Sequence, residues 1–209
     1  MFKKIVRRYA LPCMRSVSRI SLEIELEKQF KRLKPGIVLD VGSGLSLYKN
    51  KIPYTRFMRL DIDKKSKPDI CCDVHDIKWK SNYFDTVIAT QILEHCHSPE
   101  RVIKEIHRIL KREGVCILST CFFYEYHPFP KDYYRFTQDS LNYLFRGFRK
   151  AEIHPYGNRL QVIWQILNTG KMRILLSILL INPVFARILA RINFRETKFP
   201  CGFVVHAKK

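Results

Sequence analysis

No C-x-x-C pair occurs in this 209-residue chain, although it holds seven cysteines, two of them adjacent at Cys71 and Cys72. An odd count without that spacing suits free thiols in a reducing compartment. No G-x-x-x-x-G-K-[ST] stretch is present, which excludes the common nucleoside-triphosphate loop. Internal repeats and low-complexity linkers are absent as well. Acidic residues are few: 19 Asp and Glu stand against 38 Lys and Arg, a formal charge of +19. That excess favours phosphate-bearing partners, whether nucleic acid, anionic membrane or a charged substrate, and says nothing about fold.

Long uninterrupted apolar runs are also missing. The first 20 residues start basic, but arginine or proline breaks each apolar run, so no secretory signal is read there and a cytoplasmic location is expected. Residues 173–192 are strongly apolar, yet Asn182-Pro183 interrupts them and Arg187 and Arg191 follow, which argues against a membrane span. Phe185, Ile188, Leu189 and Ile192 opposite a basic face suit an interfacial helix. With the basic amphipathic start, this gives two candidate anchors on the inner membrane face. Packing of the same segments on the sheet, or in a dimer contact, is the alternative.

What is present reads as a folded domain, with 46% hydrophobic and 12% aromatic residues. Leu22, Leu26, Phe30 and Leu33 recur at helical spacing, and that helix should stop before Pro35. "GIVLDVG" at 36–42 reads as a buried strand, "YTRFMRLDID" at 54–63 as a second, and "PDICCDVHDI" at 68–77 contains a short third. "YFDTVIATQIL" at 83–93 is a fourth. Ser98-Pro99 then reads as a helix start, with Val102, Ile103, Ile106, Ile109 and Leu110 at helical spacing and Gly114 as the terminating residue. "VCILST" supplies a fifth strand, and Thr137 a cap for a helix through Leu141, Leu144 and Phe145. "RKAEIHPY" and "CGFVVHAKK" are the last two strands. The alternation predicts an α/β fold whose parallel sheet is covered on both faces and gathers ligands at the carboxyl ends of its strands. Three segments are expected: a basic amphipathic helical start at 1–34, a core at 35–156, and a helical cap or interfacial segment with a final strand at 157–209.

The first turn carries the chemistry. In "VLDVGSGLSLYK" a dinucleotide loop would want a third glycine where Leu47 stands. Two glycines also fit a tight structural turn. The acids sharpen the reading, because Asp40 is an awkward neighbour for a pyrophosphate and a good one for an ammonium group. Asp61 ends the second strand, where a carboxylate can accept from both hydroxyls of a ribose. Asp73 ends the third, within reach of a base. One adenosine with an amino-acid tail satisfies all three.

In this order, "VLDVGSG", "LDID", "CDVHDI", "SNYFDTVIATQILEH", "SPERVIKEIHRILKREG" and "VCILST" resemble a class I S-adenosylmethionine-dependent methyltransferase of the type 11 group, over residues 37–120. The resemblance implies a Rossmann-like, doubly wound, mostly parallel seven-stranded sheet with the last strand antiparallel, and S-adenosylmethionine as cofactor. It implies that Asp40, Gly42, Ser43 and Gly44 hold the methionine part. Asp61, with Ile62 beside it, would take the ribose; Asp63 is the runner-up and is expected in solvent. Asp73 and the Val74 backbone would face the adenine, and Thr90 or Gln91 would border the methyl.

A sulfonium methyl is already activated, so no triad or metal is required. Consecutive residues of "EHCHS" at a strand end cannot all point at one ion, and no metal site is expected. His95 and His127 are the candidate general bases if the acceptor is a hydroxyl, with structural hydrogen bonding as the alternative role for each. Residues 123–137, "FYEYHPFPKDYYRFT", follow the fifth strand as a substrate loop, with Tyr133, Tyr134 and Arg135 as candidate acceptor contacts. The "P-x-D-Y-Y-R-F-T" portion is similar to methyltransferases encoded with surface-polysaccharide and glycolipid assembly enzymes, which implies a saccharide or lipid-linked acceptor. RNA or ribosome methylation is the rival favoured by charge, and a non-catalytic cofactor-binding protein is the third reading.

Overall fold

Residues 37–41 are apolar apart from one acid, and they form β1 (Ile37–Val41), an interior strand of a seven-stranded sheet. The computed structural model describes residues 17–128, 130–167 and 198–209. In chain order the elements are α1 (Val17–Phe30), β1, β2 (Arg56–Asp61), β3 (Ile70–Cys71), β4 (Phe84–Thr90), α2 (Pro99–Ile109) and β5 (Leu110–Cys121). α3 (Gln138–Leu144), β6 (Lys150–Tyr156), α4 (Arg159–Leu167) and β7 (Gly202–Lys208) complete the described chain. The strands lie in the order β3-β2-β1-β4-β5-β7-β6. β1 to β5 run parallel, while β7 inserts antiparallel between β5 and β6. The expected doubly wound sheet with an antiparallel last strand is therefore observed.

Alternation of side chains along the strands builds two cores. Val38, Ile88, Ile117 and Val204 face one side, where they meet Leu22, Leu26 and Phe30 of α1 and Val162 of α4. Leu39, Val87, Leu118 and Val205 face the other side, against Val102, Ile103, Ile106 and Ile109 of α2 and Leu141 of α3. Both faces are thus dry, as a parallel sheet requires. Leu26 and Ile106 are fully buried, and side chains of that kind each contribute about 1.5–3 kcal/mol through removal from water. Leu22, Leu26, Phe30 and Leu33 and the residues of β7 share these cores with residues of 35–156.

Two local expectations differ from what is found. The α2 helix ends at Ile109 and Leu110 is already extended, so Gly114 lies inside β5 and does not terminate the helix. The chain bends instead at Glu113, with φ of 66°, where the β4–β5 register shifts between Phe84 and Thr86. Ser98 precedes α2 with Pro99 in the first turn as expected, but its side chain makes no capping bond. Its amide donates to His75 Nε2 at 3.3 Å. Thr137 does cap α3, its Oγ1 accepting from Ser140 N at 3.1 Å. Among the described residues no helix is long and apolar enough to cross a membrane. The basic residues 1–16 and the candidate interfacial helix around Phe185–Ile192 lie outside the described residues.

Candidate active site

The glycine turn leaves β1 and is tied to β2. Ser43 N donates to Leu60 O at 3.1 Å, and Gly44 N donates to Asp61 Oδ2 at 2.8 Å. Gly42 sits at φ of 63°, and a Cβ there would meet Ile92 Cγ2 at 2.4 Å, so only glycine fits under the end of β4. Gly44, at φ of 46°, faces open space, with nothing within 4 Å of a Cβ position. Beside it, Ser43 Oγ is buried with no hydrogen-bond partner among the described residues. An orphan hydroxyl next to an open glycine is what a ligand-holding turn presents.

Residues 45–48 do not continue as an α-helix, and only a single 3-10 turn, Lys49–Lys51, precedes β2. A pyrophosphate would therefore lack the helix N-terminus that normally receives it. Asp40 disfavours such an anion further. It is 3% exposed, and burial pushes its carboxyl up to about 6 against the hydrogen bond from Ser46 Oγ at 2.7 Å. A buried acid with that bias gains most from a cationic ligand group.

Asp61 accepts from Gly44 N through Oδ2 and from Asp63 N through Oδ1 at 2.9 Å, which fixes the carboxylate at the end of β2 while each oxygen keeps a second lone pair. Ile62 beside it is largely exposed, and Asp63 is exposed and accepts from Lys65 N at 2.9 Å, capping the next turn. Asp73 takes the His75 backbone N–H at 2.8 Å and the His75 ring at 2.6 Å, both on Oδ1, leaving Oδ2 as an acceptor. Partial burial works to raise its carboxyl, but those bonds and the charges of His75 and His97 outweigh it and hold it below the ordinary value. Val74 packs partly buried against the core. Thr90 closes β4, and Gln91 follows at φ of 54°, a costly conformation for a side chain of this kind, with its amide donating to Ser119 O at 2.9 Å.

Gln91 turns the chain toward a cleft of about 210 Å³ at the carboxyl ends of β4, β5 and β6. Its walls include Arg19 of α1, Gln91, Glu94, His95, His127 and Tyr156. Glu94, in the 3-10 turn Leu93–His95, is fully buried; Thr120 Oγ1 donates to its Oε2 at 2.9 Å, while Oε1 has no partner among the described residues. Burial pushes this carboxyl above its ordinary value. His95 and His127 meet edge to face with ring centres 4.9 Å apart. Within the "EHCHS" cluster, Cys96 is buried and His97 stacks on His75 at 4.0 Å, while Glu94 and His95 stay together. His127, distant in sequence, joins them. Glu94, His95 and His127 then form a group whose donor atoms lie within 4.8 Å of one another, which differs from the sequence expectation of no metal-ligand arrangement. A second depression of about 200 Å³, between α2 and the turn after α3, contains none of the predicted residues.

The aromatic loop is organised by Asp132. Its side chain is 1% exposed, and it pairs with Arg135, accepts the His127 amide at 3.0 Å and faces His127 Nδ1 at 3.2 Å. Arg135 is correspondingly committed to Asp132 and to the carbonyls of Tyr124, Glu125 and Tyr134. It shapes the loop and does not line the cleft. Tyr133 bonds through its amide to Glu94 O at 2.8 Å, and Tyr134 Oη donates to His97 O at 3.2 Å, so both are exposed on the loop outside the cleft lining. Sequence reasoning missed Glu94, Asp132, Arg19 and Tyr156. Only Glu94 had a local signal, its place beside His95 at a strand end.

The strand order and the single antiparallel β7 are those of the class I methyltransferase fold. Residues 39–118 match the type 11 methyltransferase domain family. An uncharacterized protein of Methanocaldococcus jannaschii is 32% identical over 100 residues, covering 44% of this chain and 44% of that protein. A malonyl-[acyl-carrier protein] O-methyltransferase of Gallionella capsiferriformans is 26% identical over 131 residues, 52% of this chain and 42% of that enzyme. The chain thus spans less than half the length of these relatives. Among solved structures, an S-adenosylmethionine-dependent methyltransferase from Archaeoglobus fulgidus superposes with a TM-score of 0.58 at 15% identity, over 100% of this chain and 99% of that one.

Proposed function

We propose that this protein transfers the methyl group of S-adenosylmethionine to an oxygen of a small-molecule, saccharide or lipid-linked acceptor. The observation that carries the reading is the adjacency of two half-sites at the strand ends: an open glycine turn flanked by Asp40 and Asp61, and a cleft lined by Gln91, Glu94, His95 and His127. Asp40, Gly42, Ser43 and Gly44 would hold the methionine portion, Asp61 the ribose, and Asp73 with Val74 the adenine. When bound, the cofactor supplies a methyl group on a sulfonium that leaves without further activation.

The chain's own task is to hold the acceptor and manage its proton. An acceptor hydroxyl in the cleft would meet Glu94, His95 and His127, the carboxylate and the two imidazoles among its lining residues. Methylation of that hydroxyl would release its proton, which this group of side chains or solvent would take up.

The acceptor class rests on the loop sequence and on the charge. A chain at +19 suits an acceptor bearing phosphate, such as a lipid-linked saccharide at the inner membrane face, with the cytoplasmic protein held peripherally by its basic ends. RNA is the rival under the same charge. The test is methyl transfer from labelled S-adenosylmethionine into lipid-linked saccharides and, in parallel, into RNA and ribosomes. Label in the lipid-linked fraction supports the reading, and label confined to RNA overturns it.

A further inference from the structure

We infer that Glu94, His95 and His127 form a site for a divalent transition-metal cation of the zinc type, open toward the acceptor cleft. Each residue offers one donor atom within 4.8 Å of the other two. Two imidazoles and one carboxylate are a common donor set for catalytic zinc, which leaves a coordination position for water or substrate. Imidazole-rich donors also select against magnesium and calcium.

A second observation points independently to a ligand. Glu94 is fully buried, yet its Oε1 has no hydrogen-bond partner among the described residues, an expensive arrangement unless something positively charged is received there. The remaining atoms are already tied down as metal-site ligands usually are. Thr120 Oγ1 holds Glu94 Oε2 at 2.9 Å. His95 Nδ1 is bonded to Lys131 O. His127 Nδ1 is bonded to Glu125 O at 2.9 Å, with Asp132 Oδ2 behind it at 3.2 Å. With Nδ1 donating in both rings, Nε2 of each carries the lone pair that a cation needs. Donors bound at about 2.0–2.1 Å from a cation sit closer together than 4.8 Å, so binding would require the three side chains to converge.

The site deepens the methyl-transfer reading, since a cation at this position would bind the acceptor oxygen and favour its deprotonated form, the proton passing to water. The test does not depend on that reading. Chelator-treated protein is titrated with Zn²⁺ by calorimetry and with Co²⁺ by visible absorption, beside His127→Ala and Glu94→Gln, and S-adenosylhomocysteine binding is measured on the same samples. One cation per chain in the wild type, weakened at least about tenfold in either variant with S-adenosylhomocysteine binding retained, is the expected result. No cation binding, or equal binding in wild type and variants, overturns the site. His127 lies on a loop outside the sheet, so its variant keeps the test decisive if Glu94→Gln does not fold. Failure of S-adenosylhomocysteine binding in the wild type would instead count against the methyltransferase reading.

Discussion

Asp40 sits where ionisation is opposed by lost hydration, and the sign of its linkage follows directly. Its folded value of about 6 lies above the ordinary 3.8, so its stabilising contribution is complete below 3.8 and is lost as pH rises through about 6. Asp40→Asn should therefore stabilise the ligand-free protein at neutral pH, by at most about 3 kcal/mol, in thermal melts. The same change should weaken S-adenosylmethionine binding by roughly tenfold or more, because the ammonium loses its partner. Wild-type affinity should fall as pH drops below about 6, and the Asn variant should lack that fall. Gly42→Ala brings both a positive φ and a clash with Ile92, and should cost about 1–3 kcal/mol in denaturant melts. These residues were legible because an acid or glycine at a strand end stands out locally. Glu94 was not, because its burial depends on Thr120, a residue of another strand.

At the scale of elements, the loop after β5 depends on one buried carboxylate. Hydrogen bonds from Arg135, opposed by partial burial, hold Asp132 down at about 2. Its contribution is present above the ordinary 3.8 and is lost as pH falls through about 2. Asp132→Asn should cost about 1–3 kcal/mol and speed hydrogen exchange at the His127 amide, leaving the exchange of central β4 unchanged. Strands and α2 could be read from their periodicity, and Thr137 from its capping chemistry. The bend at Glu113 within β5 could not, since it answers to how β4 and β5 align. α1 read correctly as a helix, but its role as a sheet cover emerges only from Leu22, Leu26 and Phe30 meeting Val38 and Val204. Leu26→Ala should accordingly destabilise the whole domain by about 2–5 kcal/mol in denaturant melts.

For the molecule as a whole, the sheet order sets the predicted cofactor residues at the carboxyl ends of four neighbouring strands, with Asp40 next to the end of β1, Asp61 ending β2, Asp73 two residues after β3 and Thr90 ending β4. The acceptor side is assembled differently, from α1, the β4 end, the aromatic loop and β6, which are separated by up to 138 residues between Ser18 and Tyr156. That is why the candidate cofactor residues fall in sequence order along successive strands, while Arg19, Tyr156 and the meeting of His95 with His127 could not be read. The central claim is that the open turn and its acids hold S-adenosylmethionine. Calorimetric titration of the folded wild type and Asp61→Ala with S-adenosylmethionine and S-adenosylhomocysteine tests it most directly. Saturable one-to-one binding by the wild type, lost or severely weakened without Asp61, is the predicted result; a folded wild type that binds neither compound would contradict the account.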